Sequence, residues 1–367
     1  MLDIDLRILR LNSLDVLGDE KCRRSLGRYF GILEERRRSQ FSVSKMFEAN
    51  YSADSSDQTL WQLHKVLTDQ YVKFLTEVDN GIRNFEDGKK PDRSYFDLKI
   101  ALAHEIMKSC RFCHRMCGAD RTTGARGYCR CGDEVVLSTA FDHWGEEPEL
   151  VPSGTIFTCG CTMTCLHCQN YSISQWMENG TKLNTEELAR AVERLYARGC
   201  RNANLVGGDP TPWLWVWLRA FRTVNLNVPV VWNSNTYYSE ETSNLLAGFV
   251  DVYLLDFKYG PEDCAEKISN APGYWDVSTR NHLAAKRYGE LIVRVLVLPG
   301  HLECCTKPVI EWIAKNLGTD TRVNIMFQYR PEWRADEIPE LGRRLTGEER
   351  KRAMEIAREA GLENYIT

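Results

Sequence analysis

Cys159-Gly160-Cys161-Thr162-Met163-Thr164-Cys165-Leu166-His167-Cys168-Gln169-Asn170-Tyr171 follows directly on the β-rich run Thr155-Ile156-Phe157-Thr158. Its cysteines are spaced Cys161-x3-Cys165-x2-Cys168. Three thiolates on one short loop can hold three irons of a cubane and leave the fourth iron open to an outside ligand. A four-cysteine electron-transfer site accepts no such ligand without losing one of its own. The rival is a structural zinc, which would take a fourth ligand from Cys159 or His167.

The surroundings of this loop set the fold. Strand candidates run over 155–159, 203–206, 228–232, 250–256, 291–298 and 323–328, each a nearly continuous apolar stretch. Helical stretches over 184–198, 213–224, 239–247 and 307–316 lie between them, with Asn184 and Ser239 at N-cap positions and acids at 186–187 in a first turn. Strands alternating with helices predict a parallel βα architecture, with functional groups at the C-terminal ends of the strands. A closing helix is expected over 346–360, stopped by Gly361.

Upstream, Cys110-x2-Cys113-x3-Cys117-x11-Cys129-x-Cys131 is dense enough to bind a metal by itself. Four of these five cysteines would suffice for one metal site. Zinc, a mononuclear iron and an auxiliary iron–sulfur cluster all suit four thiolates. The chain has 14 cysteines in 367 residues. With the acidic opening Met1-Leu2-Asp3-Ile4-Asp5 and no secretory pattern, they point to metal binding in a cytoplasmic protein rather than to disulfides. A net charge of −4 with 27% charged residues gives no general attraction for nucleic acid, and no long uncharged apolar run predicts a membrane span. Residues 1–105 read as a helical extension, with loops at 50–58 and 87–93. Residues 106–150 read as an irregular cysteine-rich metal module, 151–335 as the βα domain, and 336–367 as a C-terminal helical segment.

The three-cysteine loop at the end of the first of six βα units resembles the radical S-adenosylmethionine (radical SAM) superfamily. More locally the chain is similar to the branch near the pyruvate formate-lyase activating enzymes. The likeness covers about residues 106–345. It is carried by His143-Trp144-Gly145-Glu146-Glu147-Pro148, 154–157, 168–175, 250–254, 323–326 and Gln328-Tyr329-Arg330-Pro331. The resemblance implies an α/β fold, a partial (β/α)6 barrel. It also implies a 4Fe–4S cluster on Cys161, Cys165 and Cys168, whose open iron chelates S-adenosylmethionine. One electron then splits the sulfonium and releases a 5′-deoxyadenosyl radical.

Further residues take roles from the same likeness. A quartet of Cys110, Cys113, Cys117 and Cys129 resembles the cysteine pattern just upstream of the barrel in these relatives, which implies a second metal there, with Cys131 spare or an alternative fourth ligand. Gly207-Gly208-Asp209-Pro210 resembles the family's Gly-Gly-Glu-Pro motif, which holds the methionine amino group, with Asp209 in place of glutamate. Asp256 and Lys258 alternate onto one face after the fourth strand and are expected to border the cofactor. Asn233 and Arg294 are candidates for its carboxylate or ribose, or for an internal ion-pair network. Asp256-Phe257-Lys258-Tyr259-Gly260 together with 300–305 looks like an archaeal branch that includes cobalamin-dependent C-methylation of a glutamine in methyl-coenzyme M reductase. The resemblance therefore implies a protein or peptide substrate, a low-potential electron donor and, for this branch, cobalamin. No Asp-x-His-x-x-Gly sequence is present, so cobalamin would need an atypical surface, such as the aromatic segments 213–217 or 232–238. The alternatives are a glycyl-radical-enzyme activase and a non-enzymatic iron–sulfur or zinc scaffold. Cys304-Cys305, with His301 and Glu303 nearby, is a candidate radical quencher, vicinal disulfide or ligand pair.

Overall fold

A computed structural model describes residues 18–52, 54–83, 85 and 90–367. The acidic opening and the first half of the loop expected at 87–93 fall outside them. Chain order begins with α1 (Glu20–Ser25), α2 (Gly27–Leu33), α3 (Gln40–Met46), α4 (Asp57–Asp79) and α5 (Tyr95–Lys108). There follow β1 (Val135–His143), β2 (Ser153–Thr158), α6 (Tyr171–Ser174), β3 (Thr181–Leu183), α7 (Thr185–Ala197), β4 (Ala203–Gly207) and α8 (Leu214–Thr223). The second half runs β5 (Val230–Ser234), α9 (Glu240–Leu246), β6 (Val252–Asp256), α10 (Cys264–Ser269), α11 (Tyr274–Tyr288) and β7 (Glu290–Leu296). It closes with α12 (Lys307–Asn316), β8 (Arg322–Met326), α13 (Gly347–Glu359) and β9 (Tyr365–Ile366).

The strands form one sheet in the order β3-β1-β2-β4-β5-β6-β7-β8-β9. From β2 through β8 the neighbours are parallel, six strands in all, and β9 extends them in parallel. This is the expected partial barrel. The expected caps also form: the side chains of Asn184 and Ser239 accept from the N–H groups of Glu187 and Thr242.

One part of the expected layout is corrected. Residues 135–143, read as part of an irregular module, form a strand antiparallel to both β2 and β3. The run Val135-Val136-Leu137-Ser138-Thr139 is rich in β-branched residues and mostly half-buried, as suits a strand on the antiparallel margin of the sheet. The segment 106–108, placed in the same module, is the end of α5.

The two faces of the parallel sheet differ. Ile156, Leu205, Trp232, Tyr253, Val293 and Val323 belong to the large core shared with the helices, which includes Phe41, Leu60, Tyr95 and Phe96 from the N-terminal third. On the other face, Val231, Val252, Leu254 and Ile292 pack with Cys22, Leu26, Tyr29, Phe30 and Leu150. The helices α1 and α2 thus close one end of the barrel interior. The chain continues on that face into polar residues: Asn233, Asp256, Arg294 and Asn324 lie in neighbouring register positions or two residues further along the same strands. Among the described residues, no helix is long and apolar enough to cross a membrane.

Lys45 gives a pH-dependent contribution to stability. Its ammonium donates to the Val224 carbonyl at 2.6 Å and lies 4.7 Å from the Phe41 ring centroid. Burial, with a smaller push from Lys90, brings its pKa down to about 7. An unfolded lysine stays protonated to about pH 10.4. Between those values the unfolded chain binds a proton that the native chain has released, so this group's contribution rises with pH across that window. Lys45→Met should remove the rise. Between about pH 7 and about pH 10, urea unfolding is expected to show the unmutated protein gaining on the order of 3 kcal/mol relative to the variant.

Candidate active site

The loop after β2 is held from several sides. Trp213 Nε1 donates to the Cys159 carbonyl at 2.8 Å, and the N–H of Gly160 donates to Ile173 at 2.9 Å. Two carbonyls near the end of α10 accept from the loop: Ser269 from Thr164 N–H at 3.2 Å, and Ile268 from Leu166 N–H at 2.9 Å. Gly160 has φ +87, and a Cβ there would lie 2.3 Å from the Cys131 sulfur, so only glycine passes.

Cys161, Cys165 and Cys168 line one side of a cavity of about 820 Å³. The Cys161 sulfur accepts from Met163 N–H and Asn235 Nδ2, both at 3.4 Å. The Cys168 sulfur lies 3.2 Å from Ser174 Oγ. Burial and the charge of neighbouring acids and thiols push Cys161 and Cys165 up, Cys165 to about 11. Three thiolates here therefore call for a cationic partner.

Neither candidate fourth zinc ligand joins this triplet. The Cys159 sulfur faces the Glu178 carbonyl at 4.0 Å, and His167 Nε2 shares a hydrogen bond with Tyr259 Oη at 3.0 Å. Burial, with the Lys258 charge, brings His167 down to about 4, so the ring is neutral.

Gly207, Gly208, Asn233, Asp256, Lys258 and Arg294 also line the cavity. The ammonium of Lys258 is ion-paired with the Asp256 carboxylate. Burial opposes the lysine's charge, but Asp256, with Tyr274 and Cys165 adding to it, raises its pKa above the ordinary value. Arg294 is committed to a network: Nε and Nη2 bind the Glu147 carboxylate at 2.7 Å each, Nη1 donates to Asn233 at 3.1 Å, and Nη2 also meets Glu146. Burial would raise Glu146, yet Arg294 and His143 hold it well below the usual carboxylate range. These two acids come from the expected His-Trp-Gly-Glu-Glu-Pro motif, but their role as arginine clamps was not legible in it. Asn324, which also donates to Glu147 at 2.9 Å, and the C-terminal Ile366 and Thr367 are further lining residues the sequence did not disclose.

Asp209 stands behind this wall. Its carboxylate accepts from Thr211 N–H, Ser234 Oγ and Asn235 N–H, each at 2.9 Å, and it is buried. Burial raises its pKa and these donors counter the rise. Its side chain thereby ties the ends of β4 and β5 together.

The upstream cysteines form a tight knuckle. Gly118 N–H donates to Cys110 and Met116 N–H to Cys113, both at 3.0 Å, with positive φ at Met116 and Gly118. Cys117 and Cys129 act electrostatically on both Cys110 and Cys113. Arg121, buried, brings a guanidinium nitrogen to 4.0 Å from the Cys110 sulfur. Cys131 is placed between this knuckle and the cluster loop, its sulfur 3.3 Å from the Cys129 carbonyl and 3.8 Å from that of Cys159. The aromatic surfaces expected for cobalamin are corrected: Trp213, Trp217, Trp232, Tyr237 and Tyr238 are buried in the core.

Residues 155–313 match the family profile described as the Radical SAM superfamily. A protein of Methanocaldococcus jannaschii, named Uncharacterized protein MJ0674, is 41% identical over 346 residues, covering 92% of this chain and 98% of that one. The chain contains a radical SAM superfamily domain. Among solved structures, Streptococcus suis SuiB bound to its precursor peptide SuiA is similar at 13% identity, over 56% of this chain and 46% of that chain, with a TM-score of 0.39. SuiB without the peptide gives 13% identity over 59% and 48%, with a TM-score of 0.37.

Radical SAM proteins carry a 4Fe–4S cluster and S-adenosylmethionine, and this cavity fits the pair. Three thiols share its wall, amide and hydroxyl donors reach two of the sulfurs, and the glycines at the end of β4 leave the backbone bare beside them. A Cβ on Gly208 would lie 2.2 Å from the Gly160 carbonyl oxygen and 2.8 Å from Ser174 Cα, both main-chain atoms. Gly208→Ala must therefore displace the cluster loop. Anaerobic equilibrium dialysis should register S-adenosylmethionine binding weakened about ten-fold or more, together with a lower iron content.

Proposed function

We propose that this radical SAM enzyme modifies a residue of a protein or peptide substrate, with C-methylation of a glutamine-type side chain and methyl supply from cobalamin as the specific reaction. The observation that carries the radical reading is the single cavity shared by Cys161, Cys165, Cys168, Gly207, Gly208, Asp256 and Lys258. A cluster bound to the three thiols would supply the electron that splits S-adenosylmethionine into methionine and a hydrogen-abstracting 5′-deoxyadenosyl radical. Lys258, kept protonated by Asp256, offers a cation for the cofactor's carboxylate. Asn233 and Arg294 offer donors deeper in the cavity, positioned by Glu147.

A polypeptide substrate is supported by the rim. Tyr171 and Trp333 stack at 4.4 Å, and Trp176 packs edge-on to both, partly exposed. This trio adjoins Asn170, which lines the cavity, and aromatic groups of this kind anchor polypeptides. Methylation is favoured by the likeness of residues 256–260 and 300–305 to the archaeal branch.

Two measurements test the proposal. Reconstituted anaerobically with reductant and S-adenosylmethionine, the enzyme should form 5′-deoxyadenosine. Proteins from cells lacking it should be missing one methyl group on a specific side chain by peptide mass spectrometry. Methyl transfer without cobalamin would remove the methyl source proposed here. A glycyl radical signal in a partner enzyme, with no methylation, would replace this reaction by activation.

A further inference from the structure

Cys264 opens α10, and His301, Cys304 and Cys305 follow β7, so two neighbouring βα loops bring four metal-binding side chains together. Their ligand atoms all lie within 4.8 Å of one another. The Cys264 sulfur is 3.7 Å from that of Cys304, which is 3.8 Å from that of Cys305. His301 Nδ1 is 3.6 Å from Cys264 Sγ and 3.4 Å from Cys304 Sγ.

These separations specify what fits between them. A tetrahedral zinc with sulfurs at about 2.3 Å and a nitrogen at about 2.0–2.1 Å has ligand edges of about 3.8 Å between sulfurs and about 3.6 Å between sulfur and nitrogen. The four measured edges lie close to those values. A disulfide would need sulfurs at about 2.05 Å, and the cysteines are free. In a cubane each cysteine sits on a different iron, which spreads the sulfurs much farther apart.

The local backbone explains the convergence. Leu302–Thr306 is a π-turn, entered by the N–H groups of Cys305 and Thr306 both donating to the His301 carbonyl at 3.0 and 3.2 Å. Wide turns of this kind occur often at functional sites. It places His301, Cys304 and Cys305 on one side, at spacings of three and four. Cys264 and Cys305 are buried, while His301 and Cys304 are half-buried on a cavity also lined by Glu262, Lys267 and Glu340.

We propose that Cys264, His301, Cys304 and Cys305 bind a single tetrahedral zinc ion, distinct from both the cluster triplet and the upstream quartet. The ion would fasten the N-terminus of α10 to the loop after β7. The other end of α10 already holds the cluster loop through Ile268 and Ser269, so the site is a positioning element for that loop. This assignment does not depend on the substrate proposed above.

Elemental analysis of the purified full-length protein tests it. Replacing Cys264 and Cys304 together by serine should lower zinc by one equivalent per chain while the iron of the cluster triplet is retained. Cys264→His, which keeps a ligand, should retain the zinc. Cys113→Ser, in the upstream quartet, should leave this equivalent in place. Unchanged zinc in the folded double-serine protein would overturn the assignment, and so would iron in place of zinc at these residues. A measurement on the unmutated protein guards against misfolding of the variants. Cys304 should resist alkylation in the native protein and become reactive when a zinc chelator is added, as located by peptide mass spectrometry. Equal labelling with and without chelator would also overturn it.

Discussion

Cys165→Ala is expected to abolish 5′-deoxyadenosine formation, by about 1,000-fold or more, equivalent to at least ~4 kcal/mol in the barrier. Cys165 is the middle cysteine of the loop and lies near Lys258 and Ser269, both of which act on its charge. Removing it leaves two thiols, too few to hold three irons of a cubane, so electron delivery to the sulfonium fails whatever the substrate. The informative control is Cys159→Ala. That sulfur faces Glu178 and lies near Gly180, and its loss should leave product formation within about ten-fold of the unmutated enzyme. Chromatography of the quenched reaction with reductant measures both. Product from the Cys165 variant at close to the normal rate would mean that the cluster is held elsewhere. Equal loss in both variants would mean that the strand end, and not the ligand, is what matters.

The contrast between these neighbouring cysteines also marks how far the sequence could be read. The spacing Cys161-x3-Cys165-x2-Cys168 disclosed the triplet, because three ligands on one loop are necessarily close. The strands were legible for a similar reason: buried parallel strands are continuous apolar runs, and β4 through β8 fall within a few residues of their expected positions. What was illegible depends on distant parts of the chain meeting. Cys264 is 37 residues from His301, and nothing in a linear pattern joins them. Helix α11 was missed because its charged and polar residues mask its buried ones, Tyr274, Val277, Asn281 and Ala285. The apolar periodicity of the N-terminal third indicated helices but could not indicate that Tyr29 and Phe30 would close the barrel interior. Asp209 illustrates the remaining difficulty. A carboxylate at the right place in a motif looks available for a ligand until its three internal donors are known.

The acids around Pro148 give the largest expected effect on stability. Glu149 is fully buried and makes two parallel bonds with the Arg322 guanidinium, at 2.8 and 3.1 Å; Arg322 is itself only 2% exposed. Glu149→Ala should cost about 3–5 kcal/mol, because it strands a buried cation rather than merely deleting an attraction. Arg322 would keep Asn364 at 2.9 Å and the more distant Asp19 at 3.5 Å, which do not replace a bidentate carboxylate. If stranding is the cause, replacing both partners with methionine should recover much of the loss. Removing an exposed pair such as Lys182 and Glu134 should change denaturant unfolding by no more than about 1 kcal/mol. The same turn carries Glu146 and Glu147, which clamp Arg294 in the cavity. Loosening it should therefore weaken S-adenosylmethionine binding at temperatures where the rest of the chain remains folded. A double-methionine protein that stays as unstable as Glu149→Ala would place the loss in packing around Leu150 instead of in the unpaired charge.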